Sequence, residues 1–188
     1  QRFPKDGALS QRAAIQSTLA EILIRQGRSA DALKEVEHLE TLLGSHPLVA
    51  RLKAEAYSLV WRLPEAGQWY ENAARKAPLD DALWRMAAMR YASASDYPRA
   101  MRLAIKGLDL EPRDIDLLRL QMIGAKRLNS SPELVRQAEK AFLDFRRDEL
   151  AAARKARCSK AFPECRLERE PVHAHHLRST FRLGKNAP

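Results

Sequence analysis

The sequence predicts an all-α chain of stacked helix pairs. Apolar residues recur at helical i, i+3, i+4 spacing, as in Leu19, Ile22, Leu23 and again in Ala32, Leu33, Val36, Leu39. The pattern restarts every 34 residues: Ala32, Ala66 and Ala100 share that interval, as do Tyr57 and Tyr91, and Pro78 and Pro112. No stretch alternates convincingly enough to be a strand. The composition of 45% apolar and 30% charged residues, with seven glycines in 188, excludes disordered and collagen-like classes.

Each element follows from local chemistry. Two amphipathic stretches flank a short break in every period, at RQGRSADA, LVWRLPEA and ASASDYPRA. Ala32, Ala66 and Ala100 are small, so the second helix of each pair can approach the first closely. Tyr57 and Tyr91 are placed to fill the gap between neighbouring pairs, with Leu23 at the aligned position in the first. Pro78 and Pro112 stop the second helix and set the angle into the next pair. One pair cannot bury its own apolar face, so stacking is obligatory. The units fall near 13–46, 47–80, 81–114 and 115–145, after an N-terminal extension over 1–12. From Ser131 the chain reads as one long helix ending near residue 157, with Ser131 as N-cap, Pro132 at the first helical position and Glu133 in the first turn. Its apolar side, with Leu134, Ala138, Ala141, Phe142 and Phe145, is expected to cap the open end of the stack.

The pattern resembles the tetratricopeptide repeat, a 34-residue helix–turn–helix unit. The third unit carries Trp84, Tyr91, Ala100 and Pro112, and the second Ala54, Tyr57, Ala66, Tyr70, Ala73 and Pro78. The first keeps Leu19, Ala20, Gly27 and Ala32 but has Gly44 where proline is expected. The fourth keeps Leu118, Ala125, Leu134, Ala138 and Ala141 without the signature aromatic or proline. The resemblance covers roughly residues 13–145 and implies a right-handed superhelical solenoid whose first helices line a concave groove. It also implies groove-facing positions, which here hold Ala14, Ser17, Glu21, Ile24; Leu48, Arg51, Glu55, Ser58; Ala82, Arg85, Met89, Ala92; and Asp116, Arg119, Ile123, Lys126.

One of those positions is arginine in three successive units: Arg51, Arg85 and Arg119. Guanidinium forks suit carboxylates, so the row is expected to grip an acidic segment or a free carboxylate of a protein partner, with Met89, Ile123 and Lys126 beside it. Intramolecular pairing competes with that reading. Arg51 lies four residues before Glu55 and Asp116 three before Arg119, whereas Arg85 has no obvious local partner and is the leading candidate to grip a ligand. The asparagines of the family's carboxylate-clamp version stand at none of these positions.

The net charge of +9 is uneven, with nine Lys/Arg against three Glu between Ala151 and Pro188. Such a basic tail suits an acidic protein surface, anionic lipid or nucleic acid, or it is a solvated helix end and tail; a nucleic-acid role is not expected from the tail alone. No apolar run approaches the roughly 18 residues of a membrane span. Residue 1 is Gln, so a processed or partial chain is expected.

The tail over 158–188 also holds both cysteines, Cys158 and Cys165, and His173, His175 and His176. Three readings stay open. Phe162-Pro163 favours a turn that would let a Cys158–Cys165 disulfide close, which would favour an extracytoplasmic location. Two thiolates and two imidazoles would make a zinc site, although C-x6-C is wider than the usual spacing. Free thiols are the third. No CxxCH motif occurs, so covalent haem attachment has no support, but a tail histidine would serve as an axial ligand to a haem held elsewhere. The REPVHAHHLR segment is similar to tails of tetratricopeptide segments that accompany multihaem cytochromes, which implies an electron-transfer assembly as an alternative.

No nucleophile elbow, phosphate loop, dinucleotide fingerprint or HExxH is present. His38 and His46 belong to no catalytic constellation and are expected at the surface or between units. The expected function is a non-catalytic scaffold that needs no cofactor, binding a protein partner in its groove and using its tail for a second contact or self-assembly.

Overall fold

The computed structural model describes residues 7–161. Among them are eight α-helices and no strand: α1 (Gly7–Arg25), α2 (Ser29–Leu43), α3 (Pro47–Leu59), α4 (Leu63–Lys76), α5 (Asp81–Ser93), α6 (Tyr97–Leu110), α7 (Ile115–Arg127) and α8 (Pro132–Ala161). From α1 to α7 each helix packs on the next, and the first helices of adjacent pairs also touch, α1 on α3 and α5 on α7. This is a solenoid of helix pairs with a tetratricopeptide-like fold.

The repeat positions do what their residue types dictate. Ala32, Ala66 and Ala100 are all fully buried, where a larger side chain would push the paired helices apart. Tyr91 is buried against α4, its ring 3.2 Å from where a Cβ on Gly67 would stand. Its counterpart Tyr57 is only half-buried. One repeat before Gly67 stands Leu33 rather than glycine, and Tyr57 carries the guanidinium of Arg62 at 4.8 Å from its ring. Trp84 fills the core with 5% exposure and donates its indole N–H to the Pro78 carbonyl at 3.0 Å.

Helix ends are set by capping. Asp80, Asp96 and Asp114 accept backbone N–H bonds at the starts of α5, α6 and α7, and the Nδ1 of His46 does the same for α3. The Ser131 hydroxyl accepts from Leu134 N at 3.3 Å, with Pro132 opening α8. Two boundaries differ from the sequence reading. The first helix already includes Gly7 to Arg12, which the sequence reading assigned to an N-terminal extension, because Ala8, Leu9 and the polar residues that follow extend it without a breaker. The last helix is described as far as Ala161, past residue 157.

The chain divides into two compact units, 1–146 and 147–188. The first holds the repeats. At its N-terminal face, Ile15, Leu19 and Ile22 of α1 are 67%, 40% and 45% exposed. Two of the matching positions one repeat later, Val49 and Ala56, are buried against the preceding pair. No helix among the described residues precedes α1. Of the second unit only the remainder of α8 is described. No helix of the described residues is long and apolar enough to cross a membrane.

Candidate functional site

The first helices of the pairs bring the predicted groove positions together in two places. On α1 and α3, Arg51 donates to Glu55 Oε1 at 2.6 Å and to Glu21 Oε1 at 2.7 Å. Burial alone would lower the pKa of this guanidinium, but the charges and hydrogen bonds of Glu55 and Glu21 outweigh it and push it up. One cation between two carboxylates leaves this part of the surface with a net negative charge. Arg51 is thus engaged both along its own helix and across to the preceding unit.

Arg85 on α5 also has a partner, one that its own helix did not suggest. Its guanidinium reaches Asp114 Oδ2 at 2.8 Å, across from the turn that precedes α7. Asp114 is buried, and its other oxygen caps α7 by accepting from Asp116 N at 2.9 Å and Leu117 N at 3.1 Å. One carboxylate thus holds both a helix start and an arginine from the neighbouring unit.

The second cluster is an open groove of 350 Å³ between α5 and α7. Met89, Ala92 and Ser93 line it from α5, and Asp116, Arg119, Leu120 and Ile123 from α7, with Tyr97 at the start of α6 completing the lining. Met89 packs against the main core, whereas Ile123 stays 38% exposed. Arg119 donates to Asp116 Oδ1 at 2.9 Å, and both side chains are exposed, so the pair is held weakly. Lys126, further along α7, bridges to Glu139 of α8 at 2.7 Å.

Of the predicted site residues, the structure therefore gathers Met89, Arg119 and Ile123 into one cavity. It ties Arg51 and Arg85 to carboxylates of the chain itself and places Lys126 in a bridge to α8. Sequence reading missed Ser93, Tyr97, Leu120 and the role of Asp114. The signal for Asp114 was present: it follows Pro112 and stands immediately before an apolar-periodic run, as an N-cap does.

Cys165, His173, His175 and His176 lie outside the described residues, and Cys158 is described only as part of α8. The disulfide, zinc and haem readings rest on those residues. Among the described residues no group of three His, Cys, Asp or Glu side chains could hold a metal ion.

No protein-family model matches the chain, and no curated protein sequence does. Solved structures do. A crystal structure of MamA superposes with a TM-score of 0.65 at 14% identity, covering 76% of this chain and 81% of that one. MamA from Desulfovibrio magneticus RS-1, residues 41 to the end, gives 0.62 at 15% identity over 74% and 76% of the two chains. At such identities the likeness is one of fold, and that fold is tetratricopeptide-like.

Proposed function

We propose that this chain is a non-catalytic protein-interaction scaffold whose α5–α7 groove receives an extended segment of a protein partner. The observation that carries the reading is the meeting of Met89, Arg119 and Ile123 in one open cavity. An apolar side chain of the partner enters between Met89, Leu120 and Ile123. An adjacent carboxylate of the partner takes the Arg119 guanidinium, for which the exposed Asp116 is a weak competitor. Arg51 and Arg85 shape the surface through the carboxylates they hold. The groove is open to solvent, so it suits an extended segment that lays one side chain into it rather than a small molecule enclosed on all sides.

The test uses random peptides displayed on phage and selected on the immobilised chain. Enriched sequences should share one large apolar residue with an acidic neighbour. Ile123→Glu should weaken a purified selected peptide at least tenfold while the far-ultraviolet circular dichroism stays unchanged. Equal binding by the variant, or selection without a shared motif, would refute the groove reading.

A further inference from the structure

The turn between the two helices of each pair is built the same way four times. Gly27, Trp61, Ser95 and Asn129 stand 34 residues apart and all have left-handed backbone, with φ of 75°, 57°, 62° and 48°. The next residue in each turn closes the helix end with an equivalent bond: Arg28 N to Leu23 O at 2.9 Å, Arg62 N to Tyr57 O at 3.1 Å, Asp96 N to Tyr91 O at 2.9 Å and Ser130 N to Ala125 O at 3.0 Å. This is a Schellman-type cap, whose left-handed residue is usually glycine and sometimes asparagine. Glycine and asparagine occupy the first and fourth turns and a small serine the third. The second turn forces a tryptophan into a conformation that a bulky side chain rarely adopts.

The indole gains no compensating burial. Trp61 is 80% exposed, and the residues before it, Leu59 and Val60, are 39% and 49% exposed. The corresponding triplets are Arg25-Gln26-Gly27, Ser93-Ala94-Ser95 and Arg127-Leu128-Asn129, so only this turn presents three apolar side chains in a row. The residue that follows is held firmly. Arg62 donates to Glu65 through Nε at 2.9 Å and Nη2 at 2.7 Å and lies over the Tyr57 ring. The apolar knob is therefore preset, which limits the entropy lost when it docks.

We infer that Trp61, with Leu59 and Val60, is the anchor of a second interaction surface, distinct from the groove, that inserts into an apolar slot on a partner protein. Charge separates a protein from a membrane as the occupant. The residues that follow the left-handed position in the first two turns, Arg28 and Arg62, are paired with Asp31 and Glu65, and Asp96 of the third turn is paired with Arg99. An anionic lipid surface would draw on unpaired basic residues around several apolar turns. A slot with a near-neutral rim, sized for one indole, fits what is present, and a buried tryptophan is the kind of residue that dominates an interface.

The experiment uses the full chain with benzoyl-phenylalanine at position 60, cross-linked by light in its source cells, and the Trp61→Asn variant. Asparagine is what the fourth turn already carries at this position. The variant should raise Tm by roughly 2–4 °C, because the left-handed strain is relieved. Mass spectrometry should identify one other protein in the cross-link, and that protein, purified, should bind Trp61→Asn at least tenfold more weakly than the parent. A fall in Tm would overturn the inference, because the indole would then be supporting the fold. It would equally be overturned by no cross-link, by a cross-link to this chain itself, or by a blue shift of Trp61 fluorescence on neutral or anionic phospholipid vesicles.

Discussion

Two first helices, α3 and α7, carry arginine at the same repeat position and put it to different use. Arg51 sits between Glu21 and Glu55 on two helices, in a cluster with more negative charge than positive. Arg119 has an exposed aspartate one turn away and an apolar cavity beside it. Arg85, between them in sequence, is bound to a buried helix cap. A row of identical residues at a fixed interval is therefore not a row of identical sites. The repeat fixes where each guanidinium starts, and the non-repeating neighbours decide whether it braces the solenoid or stands exposed beside a cavity.

The largest effect that can be expected along this row is at its middle. Asp114→Ala removes the α7 cap and leaves Arg85 without its anion, which should cost about 3 kcal/mol. Asp114→Asn keeps a capping oxygen and should cost about 1 kcal/mol. Urea unfolding of the two variants measures both. Equal and small losses would mean that the Arg85 contact braces nothing.

Alkaline pH tests the region that Arg51 braces. Burial, with the negative charge of Glu55 adding to it, pushes the Tyr70 hydroxyl up to about 12. A pKa above that of the unfolded chain means that the folded state holds the proton more tightly. The stabilisation is therefore complete below the unfolded value near 10 and is lost as pH rises through about 12. The loss should be on the order of 2 kcal/mol, seen as a falling urea midpoint across that window. Tyr70→Phe should flatten most of the slope. Tyr91, raised by burial and by Glu71, shifts in the same direction and accounts for the remainder.

What could be read from sequence was whatever depends on one helix at a time. The 34-residue interval located the buried alanines, and the Ser131-Pro132 pair located the start of α8. The Arg51–Glu55 and Asp116–Arg119 pairs were visible because i+4 and i+3 neighbours share a helix face. The second partner of Arg51 and the partner of Arg85 were not, because Glu21 and Asp114 approach from other helices and their separations of 30 and 29 residues carry no helical phase. Tyr91 packs over Gly67 while the matching position in the preceding unit is Leu33, a difference between units that a search for sameness passes over. The strain at Trp61 was hidden for a related reason: apolar periodicity reports helices, and the turn between them is fixed by φ.

Smaller effects sharpen the contrast between the two helices. Arg51→Ala should cost about 1 kcal/mol, with the loss greatest at low salt, because Glu21 and Glu55 then repel each other without a cation between them. A loss that does not change with salt would mean that packing of the arginine stem matters more than its charge.

The smallest change in stability is expected at the open groove, together with a change in binding of opposite sign. Asp116→Ala removes an exposed pair and one favourable charge in the first turn of α7, which together should cost about 0.5 kcal/mol. It also frees Arg119 and removes a negative charge from the groove lining. An acidic peptide selected on the parent chain should then bind about two- to fivefold more tightly, as fluorescence polarisation at low salt would show, with the gain fading as salt is added. Weaker binding would mean that Asp116 orients Arg119 for the ligand rather than competing with it. The two helices would then share a design in which each arginine needs its carboxylate, and the open groove would be as pre-organised as the braced cluster.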